Sequence, residues 1–141
     1  MICFRETEVT DAKKILGWRI SDRVTKYMKT DIKNDLDLQI KWLRHSFTKP
    51  NYYHWVIQHQ GNDIGLLYFS DWEPENATTS WGFYIGEEKA LGLGGLVAPY
   101  FHNFAFEVLK VQRVLAECFY NNTVMIDLHL KEGYKFDLNR N

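Results

Sequence analysis

Three glycines within four positions, Gly92, Gly94 and Gly95, stand between a strand-like run, Thr78 to Ile85, and a strongly apolar helical run from about Leu96 to Leu109. A strand that passes through such a turn straight into a helix brings backbone N–H groups and the positive end of the helix dipole to one point. With no Cβ in the way a pyrophosphate can approach the main chain there, and glycine accommodates the φ > 0 that such loops use. The spacing is not the G-x-G-x-x-G of a dinucleotide-binding turn, nor a Walker loop, which needs Lys and Ser or Thr directly after its last glycine. Taken alone, three glycines between a strand and a helix also fit a plain turn.

The rest of the chain gives this joint a setting. Ile2 to Thr7 reads as a short strand; Thr10 or Asp11 caps a helix through Trp18, and Ser21 a second ending near Met28. Asn34 opens a longer helix in which Leu36, Ile40, Leu43 and Phe47 make an apolar face. Tyr52 to Gln58, Asp63 to about Asp71 and Thr78 to Ile85 form an antiparallel meander, with Gly61-Asn62 as the first hairpin turn. The helix after the glycines, carrying Val97, Tyr100, Phe101, Phe104, Phe106 and Val108, is expected to be mostly buried. Then follow a strand, Arg113 to Tyr120, a helix from about Thr123 to Lys131, and an extended Gly133-Tyr134-Lys135-Phe136. The fold class is α/β (α+β): one domain with a mixed, mostly antiparallel sheet flanked by helices on both faces.

At 141 residues one domain is expected, so one site serves every substrate. Seventeen basic residues against eighteen acidic give a net charge of −1, too little positive field to hold nucleic acid. Two cysteines, Cys3 and Cys118, make neither a disulfide scaffold nor a zinc site, which fits a reducing, cytoplasmic setting. Arg5, Glu6 and Glu8 break any apolar leader, and no run reaches the roughly 18 apolar residues of a membrane span. His54 and His59 face opposite ways on a strand and cannot share a metal, so no metal is expected. The five tryptophans are scattered, most of them expected in core or cleft wall, with Trp42 the exception, lying beside the apolar stripe of its helix.

From Trp81 to Tyr134 the chain resembles the acetyl-CoA-binding half of the GNAT superfamily of N-acetyltransferases. The superfamily's pyrophosphate loop, Gln/Arg-x-x-Gly-x-Gly/Ala, is met by Lys89-Ala90-Leu91-Gly92-Leu93-Gly94, departing at its first position. The pattern Asn-x-x-Ala-x-x-Leu-Tyr-x-x-x-Gly-Phe is met by Asn122, Met125, Leu128, His129, Gly133 and Tyr134, departing at Met125 and His129. The resemblance implies acetyl-CoA as co-substrate, bound by Tyr84, Ile85, Lys89, Leu91, Gly92, Leu93, Gly94, Gly95 and Asn122, the last on the pantetheine arm. It divides the domain into an acceptor-side half, about 1–77, and a cofactor half, about 78–136. Trp18-Arg19, Tyr27 to Thr30, Gly82-Phe83-Tyr84 and Ala105 to Val111 sharpen the likeness. They are similar to the subfamily of the bacterial pseudaminic acid pathway, which acetylates the 4-amino group of a UDP-linked 4-amino-4,6-dideoxy sugar.

That resemblance implies Glu117 as general base and Arg19, Ser70, Asp71 and Tyr84 on the acceptor, with Asp71 where the subfamily has lysine and Gln39 near its histidine. His129 stands where the family has the tyrosine that protonates the thiolate. An imidazolium with a pKa near 6.5 donates more readily than a phenol near 10, though at neutral pH only a minority is charged. Plainer roles remain: Glu117 facing solvent or pairing Arg113, His129 on an exposed helix face, Arg19 pairing Glu8 or Asp22. The function expected is acetyl transfer to a small amine, a nucleotide-linked amino sugar, with a peptide acetyltransferase or a non-catalytic acyl-CoA-binding module as alternatives. A final strand usual in the superfamily is missing before Asn141, which points to a homodimer paired at that edge or to a truncated chain.

Overall fold

The structure is a computed structural model that describes residues 1–28, 32–117 and 122–135. Among the described residues, five strands form one sheet in sequence order: β1 (Ile2–Glu6), β2 (Tyr53–His59), β3 (Asn62–Glu73), β4 (Thr78–Ile85) and β5 (Arg113–Ala116). The first three pairings are antiparallel and β4–β5 is parallel, as a crossover through helix requires. The hairpin between β2 and β3 turns on Gln60-Gly61, at φ 51° and 80°, because His59 already pairs Asn62. Positive φ at both central positions matches the twist of the flanking strands. The turn therefore lies one residue before the expected Gly61-Asn62.

Alternation along the strands loads both faces. Ile57, Leu67, Phe69, Trp81 and Phe83 pack on one side against Val97, Phe101 and Ala105. Val56, Leu66 and Tyr84 pack on the other against Ile15, Trp18 and Leu43. Each large side chain so buried contributes about 1.5–3 kcal/mol. The second face is covered by α1 (Ala12–Ile20), followed by the short α2 (Asp22–Thr25), and by α3 (Leu36–Ser46). Asp35, not Asn34, caps α3 by accepting from the Leu38 N–H. The buried face of α3 is Gln39, Leu43 and Ser46, while Leu36 and Phe47 of the expected stripe are 40% and 48% exposed. The apolar spacing was real, but packing turned the helix so that Gln39, Leu43 and Ser46 take its buried side.

On the first face lies α4 (Val97–Asn103), with Pro99 in its first turn, where no N–H is needed. Its continuation, Phe104–Val108, widens into π geometry, closed by the Leu109 N–H to the Phe104 carbonyl. This helix is less buried than expected: Phe101 and Ala105 face the core, but Tyr100, Phe106 and Val108 are exposed. α5 (Thr123–Lys131) closes this side and has the bounds its sequence predicts. The sheet thus carries helices on both faces. Cys118 and Phe119, the end of the expected Arg113–Tyr120 strand, and Phe136 lie outside the described residues.

Candidate active site

Pairing between β4 and β5 stops at Trp81 and Ala116, while β4 runs on to Ile85. Among the described residues the edge of β4 from Gly82 to Ile85 has no ladder partner on that side, so main-chain polar groups border a fork between the strands. The glycine segment lies beside it. Glu88–Leu96 is a 3₁₀ stretch, in which main-chain N–H groups engage carbonyls three residues back. None of Gly92, Gly94 and Gly95 has positive φ, contrary to expectation. Their space is the more telling feature. A Cβ on Gly92 would meet nothing within 4 Å, one on Gly94 would touch Phe83 at 3.7 Å, and one on Gly95 would touch Leu128 of α5 at 3.8 Å. The protein's own packing does not demand these glycines; they leave room along a path between β4 and α5. Leu91 is exposed there, Leu93 packs partly into the core, and Lys89 is exposed. Asn122 caps α5, its side-chain oxygen accepting from the Met125 N–H at 3.4 Å.

The end of β4 is tied to the helices on the opposite face. Arg23 of α2 donates from both guanidinium nitrogens to the carbonyls of Ile85 and Gly86, each at 2.8 Å. The Trp18 indole N–H donates to Glu87 at 2.9 Å, and its ring covers Gly86, where a Cβ would overlap it.

That face holds a cleft of about 700 Å³ lined by Arg19, Ser70, Asp71, Tyr84 and Glu117, five residues from four separate segments, and by Trp81 at the fork. In a regular strand the neighbours Ser70 and Asp71 would face opposite sides. A bulge between Ser70 and Glu73 lets both border the cleft, with Asp71 in the left-handed region at φ 53°, which Asp tolerates better than most residues. Glu117 follows directly on β5 and is exposed. Tyr84 lines the cleft, and its hydroxyl is buried without a hydrogen-bond partner among the described residues. Burial raises its pKa, against the opposing pull of Arg19, so the phenol stays protonated.

Two further cleft residues, Tyr52 and Tyr68, were not singled out from the sequence, and Trp42, expected to stand apart from the cleft wall, lines the cleft because docking turns its side of α3 toward it. Tyr52 and Tyr68 stack at 6.4 Å, and burial raises both their pKa values while Arg19 lowers them. The signal was present, since Tyr68 alternates with Ser70 on β3. Gly82, opposite Tyr68 in the ladder, leaves the room its ring needs. Gln39 also lines this cleft and is buried.

His129 is not on an exposed face. It is buried on α5, with ring centroids 5.8 Å from Trp81 and 4.9 Å from Tyr134, and its Nδ1 has no partner among the described residues. Burial, helped by His102, pushes its pKa down. Tyr134 is pinned beside it: its hydroxyl accepts from the Trp81 indole at 2.7 Å and shares a hydrogen bond of 2.6 Å with His102 Nε2. His102 Nδ1 in turn faces Glu132 at 3.2 Å.

The model of the acetyltransferase (GNAT) domain matches residues 2–135. The chain belongs to that family, and it is an acetyl-CoA-dependent N-acetyltransferase. No curated protein matches it. Solved structures share the fold at low identity. The spermidine N-acetyltransferase of Vibrio cholerae in complex with CoA and spermine is similar at TM-score 0.87 and 14% identity, over 96% of this chain and 82% of that one. A dodecameric structure of the same enzyme gives 0.79 and 13%, over 96% and 80%. A domain from Methanocaldococcus jannaschii DSM 2661 gives 0.81 and 17%, over 97% and 90%. No helix among the described residues is long and apolar enough to cross a membrane.

Proposed function

We propose that the enzyme acetylates the amine of a compact acceptor, a nucleotide-linked amino sugar, in a ternary complex with acetyl-CoA. The observation that carries this reading is the meeting of Arg19, Ser70, Asp71, Tyr84 and Glu117 in one cleft at the point where β4 and β5 part. Acetyl-CoA supplies the activated thioester. Its diphosphate would lie along the exposed glycine segment from Lys89 to Gly95, its pantetheine arm along the unpaired edge of Tyr84 and Ile85 toward Asn122. Tyr84 serves both sides, with its main chain on the fork and its ring in the cleft.

Within that frame the chain's own groups divide the chemistry. Glu117, past the last β5 pair, takes the proton that the acceptor ammonium must lose before it can attack. The buried Tyr84 hydroxyl and the Ser70 hydroxyl orient the acceptor, and Arg19 offers a planar fork to a phosphate. His129 holds a proton for the departing thiolate; with its pKa lowered the charged form is scarce but gives its proton up readily.

A second reading rests on Asp71 and Glu117, which bring two carboxylates into the cleft and suit a polycationic acceptor such as spermidine. Thiol release with a UDP-linked 4-amino sugar, spermidine and a lysine peptide separates the readings. Turnover of the sugar, with Glu117→Gln lowering kcat by about 10²-fold or more, is the expected result. Turnover of spermidine alone overturns the sugar assignment, and coenzyme A binding without turnover of any amine overturns the enzymatic reading.

A further inference from the structure

Behind the fork, on the side of α4 and α5, Glu132, His102, Tyr134 and His129 lie in one file. Glu132 Oε2 faces His102 Nδ1 at 3.2 Å, His102 Nε2 is 2.6 Å from the Tyr134 hydroxyl, and the Tyr134 ring packs on that of His129 with centroids 4.9 Å apart. α4 supplies His102 and α5 His129, while Glu132 and Tyr134 follow directly after α5. The file ends on His129 Nδ1, a buried atom with no partner among the described residues, and begins at Glu132, whose Oε1 is likewise buried and unpartnered. Such atoms are costly to keep unless something uses them.

We propose that Glu132, His102 and Tyr134 form a proton relay into His129 Nδ1, so that a neutral His129 protonates the departing thiolate from Nε2. This rests on the reading of His129 as the acid and deepens it, since burial and His102 make the imidazolium scarce. The three are positioning residues that act through His129. Burial moves His102 and Glu132 toward their neutral forms, the first pKa down and the second up. A buried, unpartnered Oε1 also costs less on a carboxylic acid than on a carboxylate. The acid's hydrogen is satisfied only on Oε2, facing His102 Nδ1, which leaves the His102 hydrogen on Nε2, directed at Tyr134. The Tyr134 oxygen then accepts from both His102 and the Trp81 indole, and its own hydrogen is left for His129 Nδ1.

In the transfer, the thiolate sulfur takes the hydrogen on His129 Nε2 while Nδ1 takes that of the Tyr134 hydroxyl. The tyrosyl oxygen takes the hydrogen on His102 Nε2, and His102 Nδ1 takes that of Glu132. His129, Tyr134 and His102 end as neutral as they began, and Glu132 is left a carboxylate. Once the thiol has gone, a solvent proton enters at His129 Nε2 and the file runs back to restore the acid. The Tyr134 and His129 rings touch without a hydrogen bond in this structure. That contact closes with the thioester in the fork, as catalytic hydrogen bonds commonly tighten in the substrate complex.

Chemical rescue tests the relay, with acetyl-CoA and the amine that the thiol-release assay identifies. His102→Ala is expected to lower kcat about 10- to 100-fold with both KM values held within about twofold. The His102 side chain is 19% exposed, so the gap it leaves opens to solvent, and added imidazole should restore much of the rate. Loss of kcat without rescue reduces His102 to a structural part and overturns the relay. Glu132→Gln keeps the shape but has no proton to lend, and should lose kcat to a similar degree with imidazole of no help. Nitrogen NMR of the wild type with coenzyme A bound needs no acceptor amine. It should find the imidazole hydrogen on Nε2 in both His102 and His129, and a hydrogen on His102 Nδ1 would reverse the file and sink it. If His129→Ala leaves kcat unchanged, the acid reading falls and the relay with it. If that variant loses kcat while His102→Ala and Glu132→Gln keep theirs, the relay falls and the acid reading stands.

Discussion

Two histidines, one on each face of the sheet, share nearly every environmental property and differ in one. His54 and His129 are each 8% exposed, each is ringed by aromatic side chains, and burial pushes both pKa values down. His54 has both ring nitrogens within hydrogen-bond distance of hydroxyls, those of Ser46 and Thr7. Both hydroxyls are anchored to the main chain as well, Ser46 to the Leu43 carbonyl at 2.6 Å and Thr7 to the His54 carbonyl at 3.1 Å, so the ring is held at both nitrogens. His129, packed against Trp81 at the fork, has no partner for Nδ1 among the described residues. A buried polar atom left unsatisfied costs about 1–3 kcal/mol, and a fold keeps such a group where a bound molecule or a reaction uses it. Burial sets the direction of a pKa; hydrogen-bond satisfaction separates a histidine that holds the frame from one poised to act.

The contrast breaks first at His129. Its change to Ala should lower kcat by about 10²-fold with little loss of Tm. His129→Tyr should keep part of the rate and carry the alkaline limb of the kcat profile upward, because a phenol near pKa 10 holds its proton where a depressed imidazole has lost it. An unchanged kcat and pH profile in the Ala variant would remove the acid role. Next comes His54→Leu, which takes one of two partners from each of two buried hydroxyls and should cost about 2 kcal/mol, read as several degrees of Tm, with kcat little affected.

The acid titration of stability sharpens the same point. The His54 pKa is lowered from 6.5 to about 4 in the folded protein, so the unfolded chain takes up its proton first as pH falls. The stability that depends on neutral His54 is complete above pH 6.5, is lost progressively toward pH 4 and levels off below it. Melting curves of wild type and His54→Leu should converge over that window, and parallel curves would discount His54 as the group responsible.

Smaller effects probe the supports of the fork. Arg23→Gln gives up the paired donation to Ile85 and Gly86 and should raise the KM for acetyl-CoA severalfold while the acceptor KM moves less. Tyr134→Phe loses the hydroxyl that links Trp81 to His102 and should cost about 1 kcal/mol.

Much of the fold was legible because it is local. β4 and α5 have the bounds read from alternation and from Asn122 before a helical run. The glycine segment stood out, but its 3₁₀ geometry did not, since glycine permits many conformations and dictates none. The apolar stripe of α3 was visible, yet Gln39 and Ser46 took buried places, because which side of an amphipathic helix meets the sheet is a matter of docking. In the site, Arg19, Ser70, Asp71, Tyr84 and Glu117 could be named singly from a family pattern, and Tyr68 could have been reached by alternation from Ser70. That they form one cleft depends on the bulge at Asp71 and on the register of β3 against β4, which no window of sequence contains.

The sequence by itself determined the α/β class, the position of most strands and helices, the joint at Gly92–Gly95 and the residue types available for acyl transfer, all consequences of periodicity and of backbone preferences acting over a few residues. Among the described residues, tertiary structure alone decided that the β4–β5 ladder ends at Trp81 and Ala116, that Tyr52 and Trp42 join Arg19 in one cleft, and that His54 has two side-chain partners where His129 Nδ1 has none. Those facts depend on groups distant in the chain meeting at hydrogen-bond or van der Waals range, and only the packed sheet and its helices bring them there.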